Sequence, residues 1–152
     1  MSATTIDKIV EHAHRIAKGE HERVRPGLPM RFPEAAAVGD FGWQGDLKLT
    51  VIEQPLAGYV KVQSMKPDDL KLVPGETQGS RHCLDSAQGV TMYKPQNWPN
   101  SGLMGPVFVA TEDRVVEHPT HGNVTIPAGM MIQCTYQREW DAEQRQERRN
   151  AD

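Results

Sequence analysis

"PVFVATEDRVVEHPTHGNVTIPAGMMIQCTY", residues 106–136, decides the fold. Four short apolar runs follow one another in it: "PVFVAT", "RVVEH", "NVTIP" and "MMIQCTY". Each is rich in Val, Ile, Thr or aromatic residues. Between them stand Glu112-Asp113, the Pro119 to Gly122 stretch and Pro127-Ala128-Gly129, all turn formers. β-branched runs of this length, punctuated at this spacing, belong to a small sandwich or barrel.

Upstream the period is also two. "DLKLTVIE" alternates Leu47, Leu49 and Val51 against Lys48 and Thr50, the pattern of a strand with one buried face. "GYVKVQ", "LKLVPGE" and "GVTMYK" extend the series to about eight short strands. Residues 95–106, "PQNWPNSGLMGP", are too rich in Pro, Gly and Asn for a strand and predict a long loop carrying Trp98. Long loops in compact domains are often functional, so Trp98 is read either as a lid over the core or as a ligand platform, and enters the candidate binding set.

The ends follow a different rule. In "TTIDKIVEHAHRIAKG" the residues Ile6, Ile9, Val10, Ala13, Ile16 and Ala17 fall on one helical face, with Thr4 or Thr5 at the start and Gly19 at the end. Pro26, Gly27, Pro29, Pro33, Gly39 and Gly42 then interrupt every pattern. Residues 1–42 are therefore expected to be a helix and arm outside the core, and residues 43–140 an all-β domain able to fold without them. Residues 141–152, rich in helix formers, are expected to be a short C-terminal helical tail. The fold class is mainly β.

With 152 residues the chain is expected to be one domain able to build a core without staples. Thirteen Gly and eleven Pro suit a chain of many tight turns. The formal net charge of -3 is spread evenly, with no basic arm, so nucleic acid is not the expected partner. No secretory leader pattern opens the chain and no apolar run approaches membrane-spanning length. The expectation is a cytoplasmic protein of a bacterial host cell, not secreted and with no membrane partner. Cys83 and Cys134 are then reduced thiols.

"EHPTHG" holds the one concentration of chemistry. Pro119 favours the second position of a tight turn, which brings His118 and His121 within about 7 Å at their Cα atoms. Two imidazoles that close can share a metal ion, and a third ligand must come from elsewhere. Candidates are His82, Cys83, Asp85, Glu117 and Cys134. Such donors suit Zn, Fe, Ni or Cu better than Mg or Ca. His82 and Cys83 are adjacent, and neighbours on a strand point to opposite faces, so they are not read as a nucleophile and its base.

Two resemblances follow. "NVTIPAG" is similar in outline to part of the second cupin motif, but the histidine expected after it is replaced by Met130, Met131 and Ile132, and the first cupin motif is absent. From Gln44 to Asp141 the chain more closely resembles a family of small uncharacterised proteins of bacteria and their phages. The motifs are "QGDLKLTVIEQPLAGYVKV", "PGETQGSRHCLDS" and "EHPTHGNVTIPAGMMIQCTYQREWD". Where that family's pattern has a Gly-His-x-His turn, Ser80 stands at the first histidine and His82 fits the second. The resemblance implies that His82, far in sequence, joins His118 and His121 at one site.

The expected function is that of a small non-enzymatic binding or accessory protein, linked to phages or mobile elements. Its site is a histidine-lined surface formed by His82, His118, His121 and Trp98. It would meet a protein partner, or itself, through the N-terminal arm. One alternative is a cupin-like metal-binding protein or metalloenzyme, with Zn or Fe on His82, His118 and His121. The other is a virion or assembly component.

Overall fold

The computed structural model describes residues 29–76, 81–141 and 146–149. The expected helix over residues 4–18 lies outside them. The chain runs through β1 (Met30–Arg31), β2 (Phe41–Gln44), β3 (Leu47–Ile52), β4 (Tyr59–Lys61), a 3-10 turn (Pro67–Leu70) and β5 (Cys83–Leu84). It continues through β6 (Val90–Pro95), β7 (Met104–Ala110), β8 (Arg114–Glu117), β9 (Val124–Ile126), β10 (Met131–Tyr136), β11 (Arg138–Asp141) and β12 (Gln146–Arg149). β2-β3-β10-β7-β6-β4 form a six-stranded sheet and β1-β9-β8-β5 a four-stranded one. Neither closes on itself, so of the two expected all-β forms the chain takes the sandwich.

The core lies between the sheets and follows the alternation in the sequence. Leu47, Leu49 and Val51 from β3 meet Met92, Phe108, Ile132, Cys134 and Tyr136 on the large sheet. Leu84, Val116, Val124 and Ile126 face them from the small one. β10 pairs with β3 along its whole length, Met131 opposite Ile52 and Tyr136 opposite Leu47.

Three expectations are corrected. Part of the presumed arm is integral: β1 pairs in parallel with β9, β2 pairs with β3, and Phe32 is fully buried in the core. The Pro and Gly residues around these short strands hide them from pattern reading, because neither Met30–Arg31 nor Phe41–Gln44 carries a β-branched run. "LKLVPGE" is not a strand. The 3-10 turn Pro67–Leu70 runs up to it, Leu72 and Val73 enter the core from irregular backbone, and only Lys71 makes an isolated bridge, to Cys83. The C-terminal segment is not helical over its described residues: β11 and β12 pair antiparallel, with Glu139 opposite Arg148 in the Cα register. Helix propensity is a weak preference that strand pairing overrides.

Candidate functional site

β2 and β3 are joined by a two-residue turn, Gly45-Asp46. Gly45 has φ +59, and a Cβ there would lie 2.6 Å from Cδ2 of His121. Both the backbone and the space demand glycine. Gln44, the last residue of β2, is fully buried, and its amide Nε2 donates to the carbonyls of Val116 (2.9 Å) and Gly122 (2.8 Å). The side chain thus ties the edge of the large sheet to β8 and to the start of the connection into β9.

That tie fixes the far end of Gln44. With its NH2 committed to two carbonyls, Oε1 is the atom left to face Nδ1 of His82, at 2.8 Å. An amide oxygen only accepts, so Nδ1 of His82 must carry a proton. In the neutral ring Nε2 is then a lone pair. Nε2 faces two carboxylates: Oδ1 of Asp46 at 3.4 Å and Oε2 of Glu76 at 3.5 Å. The side chains of His82, Glu76 and Asp46 are 0%, 3% and 15% exposed, so the group is enclosed. Glu76 is held by its other oxygen, Oε1, which accepts the backbone N–H of His82 at 2.9 Å. His82 is itself anchored by its carbonyl, which accepts the N–H of Leu72.

The "HPTH" turn supplies the other two imidazoles. His118 is buried, and its Nδ1 accepts the backbone N–H groups of Thr120 (3.1 Å) and His121 (3.2 Å). Its own N–H donates to Oδ1 of Asn123. The ring centroid of His118 is 4.4 Å from that of His82 and 4.3 Å from that of His121. His82 and His121 stack nearly parallel, 6.3 Å apart. The long-range pairing expected from the resemblance is therefore present: residue 82 meets residues 118 and 121.

The remaining sequence candidates are placed differently. Cys134 is fully buried in the hydrophobic core, where loss of solvent pushes its thiol far up. Cys83 is half-buried on β5 opposite Glu117, its thiol also raised by burial. Both cysteines are free thiols. Asp85 accepts the backbone N–H of Val115. Trp98 lies in the loop between β6 and β7, with its indole N–H toward the Tyr136 hydroxyl and the Lys94 ammonium 4.1 Å over its ring. Asp46 and Glu76 were given no role from sequence, although both stand in the quoted motifs "QGD" and "PGE". The signal is a carboxylate directly after a glycine, Gly45 or Gly75, each at positive φ, and no spacing rule links it to residue 82.

His82 and His118 are too enclosed to form a partner-facing surface; only His121, half-buried, reaches toward solvent. What the interior does hold is three ligand atoms, on Asp46, Glu76 and His82, all within 4.8 Å of one another. Neither the curated proteins nor the solved structures contain a match to the chain. The family model described as Domain of unknown function (DUF8820) matches residues 43–135, the span that carries Gln44, Asp46, Glu76 and all three histidines, and the chain belongs to that family.

Proposed function

We propose that this domain is a small metal-binding module that holds a first-row divalent ion, with Zn2+ as the reference case, on Asp46, Glu76 and His82. One observation carries the reading. The separations of His82 Nε2 from the two carboxylate oxygens are 3.4 and 3.5 Å. A charge-assisted N–H···O bond to a protonated ring would be about 2.7–2.9 Å. The edge of a tetrahedron of ligands about 2.1 Å from one Zn2+ is about 3.4 Å. Two carboxylates and an imidazole lone pair converging on one point also supply the donors and the negative charge that a divalent cation takes.

The donor set argues for the ion class. One imidazole with two carboxylates suits Zn2+ or Fe2+ better than Ca2+, which prefers six to eight oxygens. The enclosure of the group supports a structural or accessory role in place of a substrate site. Equilibrium dialysis of chelator-treated protein against Zn2+ tests the reading. One equivalent should bind, and Asp46→Asn and Glu76→Gln should each weaken it by tenfold or more. No stoichiometric binding, or affinity unchanged in both variants, overturns it.

A further inference from the structure

We propose that the neighbours of His82 and His118 lock the two rings in opposite tautomers, and that Gln44 is thereby the positioning residue that makes His82 the ligand of the pair. This deepens the metal-site reading, but the tautomers themselves stand on the protein's own hydrogen bonds.

The two rings are in contact and chemically identical, yet their Nδ1 atoms face opposite partners. Nδ1 of His82 faces an amide oxygen, which can only accept, so it carries the proton and leaves Nε2 as the donor of a lone pair. Nδ1 of His118 faces two backbone N–H groups, which can only donate, so it is the lone pair and Nε2 carries the proton. The Thr120 hydroxyl, 3.4 Å from the same nitrogen, can serve in either sense and does not alter the assignment. An imidazole whose lone pair is spent on the turn's own backbone has none to give an ion. His118 is thus a packed, N–H-bearing wall of the site; His121 lies outside the convergent group of Asp46, Glu76 and His82, so the three-histidine ligand set expected from sequence reduces to one imidazole. The residue that decides this is Gln44. Its amide could be turned by half a revolution, which would offer NH2 to His82 and reverse that ring. The carbonyls of Val116 and Gly122 forbid the turn, because two acceptors would then face an acceptor. An outer partner that fixes ring tautomer in this way typically changes metal affinity by about 10–100-fold when removed.

The test is a long-range 1H–15N correlation spectrum of the 15N-labelled full chain, freed of metal by chelation and recorded above the imidazole range. His82 should show a protonated Nδ1 and a bare Nε2, and His118 the reverse. Both rings in the same tautomer, or His82 protonated at Nε2, overturns the proposal. Gln44→Met, which keeps length and removes both amide functions, should mix the His82 tautomers and lower Zn2+ affinity by about 10–100-fold. An unmixed His82 spectrum in a folded Gln44→Met protein also overturns it. The unaltered chain decides the matter should that variant not fold. Opposite tautomers without Zn2+ binding would leave the tautomer assignment standing and remove the metal reading together with the ligand role of His82; Zn2+ binding with His82 protonated at Nε2 would overturn the assignment and leave the metal reading.

Discussion

His118 and Gly45 illustrate how much of this site is decided by single atoms. Gly45 has to be glycine twice over, because its φ is positive and the His121 ring occupies the space of a Cβ. Gly45→Ala is expected to cost about 1–3 kcal/mol, the range for a non-glycine residue held in a sparsely populated backbone region. Urea denaturation measures the loss, and a stability within a few tenths of the parent would remove the close packing of His121 on the turn. The thiols give a second residue-scale test. Burial raises both, completely so for Cys134, and the thiolate is the reactive form. In native protein at pH 8 a thiol reagent should modify Cys83 slowly and Cys134 only after unfolding. Rapid reaction of both would contradict the core placement of Cys134.

At the scale of elements, the 3-10 turn is docked on β6 by one carboxylate. Asp69 Oδ1 accepts from the Lys94 ammonium at 2.6 Å, and its Oδ2 accepts the Lys66 backbone N–H at 2.8 Å. Burial alone would raise the Asp69 carboxyl, but the Lys94 bond and the backbone bond together outweigh it and hold the group below its usual range. A carboxyl depressed in the folded state adds stability above its unfolded value, near 3.9, and loses it as pH falls through the folded value. Asp69→Asn is therefore expected to cost about 1.5–3 kcal/mol at pH 7 and to differ less and less from the parent below pH ~4. Chemical denaturation at both pH values reads this; a penalty independent of pH would assign it to packing. β1 offers a parallel test. Phe32→Ala, in the segment that resembles an arm, should cost about 3–5 kcal/mol, as for other fully buried aromatic residues.

For the whole molecule, the proposed metal site on Asp46, Glu76 and His82 would link ion binding to stability. An ion bound by the folded chain alone stabilises it by about 2.7 kcal/mol at a hundredfold excess over Kd. For a chain of this length that raises Tm by about 5–11 °C. Zn2+ should give such a shift, a chelator should reverse it, and Asp46→Asn should cut it to about half or less; a Tm indifferent to Zn2+ counts against the metal site. The same coupling bears on boundaries. A chain begun at residue 43 lacks β1, Phe32 and half of β2, so it should lose cooperative unfolding by circular dichroism, although the family match itself starts at residue 43.

The sequence by itself determined the class of fold and half of the site. Alternation is a local property: Leu47, Leu49 and Val51 announce a buried face wherever the partner strand comes from, and the strands β3, β4 and β6 to β10 were legible for that reason. Pro119 likewise placed His118 beside His121, since a turn is set by four residues. β1, β2 and β5 were not legible, because no alternating or β-branched run marks them and they exist only through their partners. Nor was the chemistry of the three histidines. Imidazole nitrogens become donors or acceptors according to what lies opposite them, and what lies opposite His82 is Gln44, Asp46 and Glu76, from two separate stretches of chain. Only the packing of the β2–β3 turn and the β8–β9 connection against the segment that carries Glu76 and His82 brings those atoms together, so only the tertiary structure gives grounds for proposing different roles for the two adjacent rings.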